Sequence, residues 1–367
     1  MPNKFQIMKC YQLLISIIFT FFYTDVVSAQ PKNELCYNQA ASYIEETLSL
    51  GNNQNRATFK ANVRQTNKAL TTPIKKTPES TNFVFAYFKN NGKDGLHLAG
   101  SNDGLNWKAF KNDLSFITPM VANDKLMRDP CVIRGFDDKF HMVWTVSWAD
   151  KGIGYASSKD LINWSEQQFI PVMEKEDSAR NCWAPEITCD PVTKTYMIYW
   201  ATTIRGKYKE TATTLENGYN HRIYYVTTKD FKSFSDTKLL YEPGFNVIDA
   251  SIVRDGKRYI MFLKDETPVP VQKNLKIATA DKLTGPYSKA GNPITGNYWA
   301  EGPTSLKINN QWIVYFDKYR DHKYGAISSS DLINWTDISD KISVPKGLRH
   351  GSIFTVEDNV FEMLSKQ

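Results

Sequence analysis

Few of the residues and motifs that mark the commoner functions occur in this chain of 367 residues. The net charge is +6, but the lysines and arginines are spread out and form no basic stripe, which argues against nucleic acid as a partner. Histidine occurs five times, and His97, His141, His221 and His322 are scattered without metal-ligand spacing, so they read as structural. No Gly-x-Ser-x-Gly elbow, phosphate-binding loop or dinucleotide fingerprint stands in a suitable setting, which removes several widespread enzyme classes. Cysteine is sparse as well. Cys10, Cys36, Cys131, Cys182 and Cys189 have no zinc-like spacing.

Long hydrophobic runs are also scarce. The one near the start, Leu13 to Tyr23, follows Lys4 and Lys9 and precedes Val27-Ser28-Ala29 and Gln30. A basic stretch, a short apolar run and a small-residue cleavage pattern predict a secretory signal peptide over 1–29, with Met8 as an alternative start. The run is too short for a typical membrane span, and no cysteine follows it at the position of a lipid anchor. The mature chain is therefore expected to lack a membrane span and to be secreted or periplasmic, where disulfides are permitted. The four cysteines beyond the leader allow three full pairings. Residues 30–80 read as an amphipathic helix, Asn33 to Leu50, followed by a polar linker or strap.

What the chain has in quantity is aromatic side chains, 13% of residues with nine Trp and nineteen Tyr, and a repeat. Most of the aromatics are read as sheet packing. The repeat shows first in its turns: Ser101-Asn-Asp-Gly-Leu-Asn-Trp107, Ser158-Lys-Asp-Leu-Ile-Asn-Trp164, Thr228-Lys-Asp-Phe-Lys-Ser-Phe234, a looser Thr279 to Tyr287, and Ser329-Ser-Asp-Leu-Ile-Asn-Trp335. Their Asp residues, 103, 160, 230, 281 and 331, are 57, 70, 51 and 50 residues apart. A period of this size marks a propeller or solenoid. The long interval fits an inserted loop at 205–220. An Asp present in every unit is a turn residue that bonds its own backbone, not a reaction centre. Short strands joined by tight turns predict an all-β, five-bladed β-propeller of four-stranded blades over 81–367. The unit opening at Phe83 to Tyr87 lacks an inner strand, and Gly351 to Val356 can supply it, closing the ring and removing a free sheet edge.

The innermost strands of a propeller surround a central channel, and residues at their starts face one end of it. Before the five inner strands stand Arg128-Asp129-Pro130, Trp183-Ala-Pro-Glu186, Ile248-Asp249-Ala250, Ala300-Glu301-Gly-Pro303 and Arg349-His350-Gly351. Taken singly, an Asp before Pro or a Glu before Gly-Pro is more often a turn residue. Matched positions in the repeat bring Asp129, Asp249 and Glu301 together, with Arg349 and His350 beside them. Like charge and burial then push carboxyl pKa values apart, so one group holds a proton while another stays ionised. Trp148 and Trp183 are placed to line the rim, where an aromatic face suits a sugar ring. Lys264, Asp265 and Glu266 end a second strand and could reach the pocket, but surface exposure is the expectation. Cys131 and Cys182, near the starts of adjacent inner strands, leave a disulfide open.

These five segments, in this order and at blade spacing, resemble glycoside hydrolase family 43 over roughly residues 83–356. The resemblance implies an inverting glycosidase with Asp129 as general base, Glu301 as general acid and Asp249 as the group that tunes and orients the acid. It implies about 6.5–9.5 Å between base and acid carboxyls. It places Arg349 at a sugar-binding position, although neighbours in a strand rarely both face a channel. It also places His350 where a histidine can sit near a bound calcium or water. Asp249 departs from the pattern in lacking a following Pro. No cofactor is implied as a requirement, a structural calcium being the one candidate. The partner implied is an oligo- or polysaccharide, cut by an exo-acting α-L-arabinofuranosidase or, failing that, a β-D-xylosidase or another exo-glycosidase of this fold. A non-catalytic carbohydrate-binding propeller is the competing class, and retention of all three carboxyls argues against it. An interaction scaffold ranks last. Nothing in the sequence sets an oligomeric state.

Overall fold

The computed structural model describes residues 81–367, so the expected leader at 1–29 and the expected helix and strap at 30–80 lie outside the described residues. Short aromatic and β-branched runs broken by Asp-containing turns give nineteen strands among the described residues. In chain order these begin with β1 (Asn82–Phe88), β2 (His97–Ser101) and β3 (Lys108–Ala109). The first full blade is β4 (Arg128–Arg134), β5 (Phe140–Thr145), β6 (Ile153–Ser158) and β7 (Gln168–Ile170). The second is β8 (Trp183–Asp190), β9 (Thr195–Thr203), β10 (His221–Thr228) and β11 (Lys238–Tyr241). The third is β12 (Val247–Asp255), β13 (Arg258–Asp265) and β14 (Asn274–Ala280). The fourth is β15 (Glu301–Ile308), β16 (Gln311–Lys318), β17 (Lys323–Ser329) and β18 (Thr336–Asp337). The chain ends with β19 (Arg349–Val356) and helix α1 (Asp358–Ser365).

These strands form five antiparallel sheets, a five-bladed β-propeller. The closing blade has the order β19-β1-β2-β3, so the last strand is its innermost, as the repeat predicted. The third blade departs from the four-stranded expectation. Its outer segment makes only isolated backbone–backbone bonds to β14, Ser288 to Thr279, Gly291 to Ile277 and Ile294 to Leu275. Pro286 and Pro293 cannot donate there, and a continuous ladder does not form. Four of the five turns behave as read, and the looser one at Asp281 shows no such bond. The carboxylates of Asp103, Asp160, Asp230 and Asp331 each accept two backbone N–H groups from residues two and three places on.

The core lies between blades, where large rings from facing sheets meet. Trp200, Tyr155 and Phe231 pack between the first two blades, and Phe85, Trp107 and Tyr315 between the fourth and the closing blade. The inner strands, which would otherwise present free edges to the channel, are tied to one another. The Val132 N–H donates to Ser352 Oγ (2.9 Å), Ile187 N–H to Cys131 Sγ (3.4 Å), Thr188 Oγ1 to the Ile252 carbonyl (2.8 Å) and Ile353 N–H to Thr304 Oγ1 (3.0 Å). Cys131, Cys182 and Cys189 are free thiols, so the Cys131–Cys182 pairing left open by the sequence does not form.

Ring closure makes Gly351 a sensitive position. A Cβ there would collide with the Ala86 carbonyl across the β1–β19 pair, backbone against backbone. Gly351→Ala is expected to cost about 2–4 kcal/mol in urea unfolding, as overpacking without room to relax does. Gly256→Ala, at an open turn with nothing within 4 Å and φ of +62°, should cost only the left-handed strain, about 1 kcal/mol. Equal losses would contradict closure through this strand pair.

Candidate functional site

Each inner strand carries the same irregularity at the same end. Between the pairs Arg128↔Thr145 and Cys131↔Val143, two residues of β4 oppose one of β5. The same two-against-one step follows Trp183↔Ala201, Ile248↔Lys264 and Glu301↔Asp317, and precedes Phe88↔Arg349 in the closing blade. These are β-bulges, which bend a strand and re-aim its side chains. In four of the strands the first bulged residue has positive φ: Asp129 (52°), Ala184 (47°), Asp249 (54°) and Gly302 (60°). The second is Pro130, Pro185, Ala250, Pro303 or Gly351. Proline fits there because a bulged residue is left out of the ladder. The Asp-Pro and Gly-Pro pairs that suggest turns are therefore bulges inside strands.

The register refines the expected alignment. Asp129, Asp249 and His350 are equivalent positions, while Glu301 stands one place earlier, level with Arg128, Trp183 and Arg349. Because the bulge turns consecutive side chains toward one region, the shifted Glu301 still meets the others. Asp249 Oδ2 accepts the Gly302 N–H at 3.0 Å, which ties it to the peptide after Glu301. Ala250, in place of proline, leaves this contact intact. Arg349 and His350, although adjacent, both reach the cluster. Arg349 Nη2 lies 3.4 Å from Glu301 Oε1 and its Nε pairs with Asp317, while His350 Nδ1 lies 3.4 Å from Asp129 Oδ1.

Asp129 is held on its other oxygen by Thr145 Oγ1, which donates at 2.8 Å and itself accepts the Ala184 N–H at 2.8 Å. Trp183 donates its indole N–H to the Trp148 carbonyl (3.1 Å) and meets the Trp148 ring edge-to-face at 5.6 Å. Trp148 is 44% exposed, and the Arg128 guanidinium is sandwiched between its ring and that of Phe88. The insert forms the neighbouring wall. Tyr219 packs on Trp183 (4.6 Å) and lies parallel to His221 (5.3 Å), with Arg180 over its face at 4.0 Å.

Lys264, Asp265 and Glu266 correct the expectation of surface exposure. Lys264 and Asp265 are each 2% exposed. Lys264 Nζ pairs with Glu266 Oε2 at 2.6 Å and with Glu301 Oε2 at 3.1 Å. The signal for this was positional: Lys264 occupies in β13 the place that Thr145 occupies in β5 and Asp317 in β16. Glu186, quoted in the sequence pattern but not singled out, is a second residue the sequence reading missed. It lies buried further along the channel and accepts from Tyr199 Oη at 3.2 Å.

The electrostatics separate the acids. Burial pushes Asp129 up, but the contacts with His350, Arg128 and Thr145 outweigh it and hold the carboxyl at about 2. Burial would lower His350, yet Asp129, Asp249 and Glu186 raise it to about 9. Asp249 is pushed up to about 6 by burial, with Glu301 and Asp129 adding to the rise and His350 and Lys264 opposing it. Burial likewise takes Glu186 to about 7 and Asp317 to about 6. Calcium takes six to eight oxygen ligands. Among the described residues no group of three or more His, Cys, Asp or Glu side chains is arranged to hold a metal ion.

A family model described as a probable glycosyl hydrolase domain, of the family 43-related type, matches residues 79–362. An α-L-arabinofuranosidase of Bifidobacterium longum subsp. longum is 23% identical over 262 residues, covering 60% of this chain and 24% of that protein. The chain thus spans about a quarter of the length of that curated relative. Among solved structures, Bacteroides ovatus xyloglucan PUL GH43B is 20% identical with a TM-score of 0.45, covering 60% of this chain and 41% of that one. An exo-β-1,3-galactanase from Phanerochaete chrysosporium is 14% identical with a TM-score of 0.44, covering 57% of this chain and 48% of that one.

The His350–Asp129 contact predicts a pH effect on stability. The folded His350 pKa, about 9, lies above the ordinary value near 6.5. Its contribution is full below pH 6.5 and is lost as pH rises through 9. Between these limits the wild type should lose on the order of 1–3 kcal/mol relative to His350→Gln in urea unfolding. A difference that stays constant across this interval would mean that His350 is neutral in the fold.

Proposed function

Since the chain belongs to the glycosyl hydrolase family 43-related proteins, we propose that it hydrolyses an O-glycosidic bond with inversion, acting on terminal α-L-arabinofuranosyl groups of an oligo- or polysaccharide. The observation that carries the reading is the convergence of Asp129, Asp249 and Glu301 in one cluster, with Asp129 kept ionised by His350 and Thr145. In this reading Glu301 gives its proton to the leaving oxygen as the bond from the anomeric carbon to that oxygen breaks. A water on the opposite face forms the new bond and loses its proton to Asp129. The products are a free sugar of inverted configuration and a shortened acceptor. Asp129 then passes its proton to solvent and Glu301 takes one up, so the proton balance closes.

Asp249, bonded to the peptide that follows Glu301, orients the acid and places a second carboxyl beside it. Arg349, Trp183 and Trp148 are the sugar-binding groups in this account. The arabinofuranosidase among the relatives favours the arabinofuranosyl group over β-D-xylosyl. The anchored 205–220 wall favours attack at a chain end, and the leader reading places the mature protein outside the cytoplasm.

Release of the aryl group from an aryl α-L-arabinofuranoside, set beside an aryl β-D-xyloside, tests the sugar. An arabinose-bearing oligosaccharide tests the acid. On the oligosaccharide Glu301→Gln should lose about 10²–10⁴-fold in kcat, as removal of a general acid does. The loss should be much smaller on the aryl glycoside, whose leaving group needs little protonation. Undiminished hydrolysis of the oligosaccharide by Glu301→Gln would overturn the assignment.

A further inference from the structure

A row of alternating charges joins the 205–220 insert to Glu301. Glu216, in a short 3₁₀ turn of the insert (Glu216–Gly218), accepts from Lys273 Nζ at 2.6 Å. Lys273 also donates to Glu266 Oε1 at 2.8 Å, and Glu266 Oε2 pairs with Lys264 Nζ at 2.6 Å. Lys264 then reaches Glu301 Oε2 at 3.1 Å. The side chains of Lys264 and Lys273 are 3% and 1% exposed. Buried ammonium groups are costly unless carboxylates compensate them, so each link depends on its neighbours. The remaining contacts of Lys264 are with Tyr319, whose ring lies 4.6 Å away, and those of Lys273 include the Trp299 ring at 5.6 Å.

The two oxygens of Glu301 are thus taken by two cations from different strands, Oε1 by Arg349 and Oε2 by Lys264. Two points of attachment fix the plane of a carboxyl as well as its place. A proton donor needs that aim, because misplacement by about 1 Å can cost about 100-fold in rate. The positional pattern points the same way. At the matching end of the second strand, Thr145 holds Asp129, Asp317 holds Arg349, and Lys264 holds Glu301.

We propose that Lys264 is a positioning residue for Glu301, and that Glu266, Lys273 and Glu216 extend this hold to the insert, so that the seat of the insert and the aim of Glu301 are set together. The proposal rests on the reading of Glu301 as the acid.

Two measurements test it. In the first, Lys264→Met and Glu216→Gln are compared on the oligosaccharide and on the activated aryl glycoside. Lys264→Met should lower the ratio of the two rates about tenfold or more, because only the natural linkage needs an aimed proton. Glu216→Gln, at the exposed end of the row, should lower the ratio about threefold. The double variant should add little to Lys264→Met, since the link is already cut. Equal losses on both substrates, or none, would overturn the proposal. If Glu301→Gln suppresses oligosaccharide hydrolysis while Lys264→Met leaves the ratio unmoved, the acid stands and the positioning role falls. In the second, tryptic cleavage at Lys207 and Lys209 of the insert is timed in the folded protein, which requires no turnover. Lys264→Met should speed it about fivefold through the weakened row, and Glu216→Gln should do the same even if Lys264→Met fails to fold. Unchanged cleavage in the folded variants would overturn the coupling to the insert.

Discussion

The arrangement depends on one backbone constraint, a two-against-one bulge at the channel end of every inner strand. A regular strand sends alternate side chains to opposite faces. The bulge breaks that alternation where the five blades meet, so two adjacent positions per blade serve the same cluster. Asp129, Asp249 and His350 come from one level and Glu301 and Arg349 from the level before it. The constraint is costly, since Asp129, Ala184 and Asp249 sit at positive φ, and a residue with a Cβ loses about 1–2 kcal/mol there. Neighbouring blades hold two of these bends in place. Thr145 accepts the Ala184 N–H and Asp249 accepts the Gly302 N–H, each across a blade boundary.

Charge completes what the bulges begin. Carboxyls crowded in a channel would repel one another and resist desolvation, and the structure answers with cations beside Asp129 and Glu301. His350 faces Asp129, while Lys264 and Arg349 face Glu301. These cations come from second strands or from the closing blade, which explains why the ring must be shut before the cluster exists. β19 brings both Arg349 and His350, and it joins its blade only when the end of the chain returns to β1.

Much of this was legible in the sequence because the repeat is. The Asp-centred turns set the blade count, the missing inner strand before Phe83 pointed to closure by Gly351 to Val356, and residues before the inner strands named Asp129, Asp249 and Glu301. What escaped the reading was local. A one-residue offset of Glu301 cannot be seen without the ladder, and bulge prolines look like turn prolines. Lys264, Asp265 and Glu266 end a strand with three charges in a row, the usual mark of exposure. Only the place of Lys264 opposite Ile248 shows that it turns toward Glu301. The third blade lost its outer strand to prolines that the period alone did not weigh.

The proposed reaction is a single displacement in which water attacks one face of the anomeric carbon while Glu301 protonates the oxygen leaving from the other. Proton NMR of the sugar released in the first minutes of turnover, before the anomers equilibrate, tests it most directly. The first-formed sugar should have the anomeric configuration opposite to that of the substrate. A first-formed sugar of retained configuration would contradict it, because retention requires a carboxylate to bond the sugar and not merely to activate water.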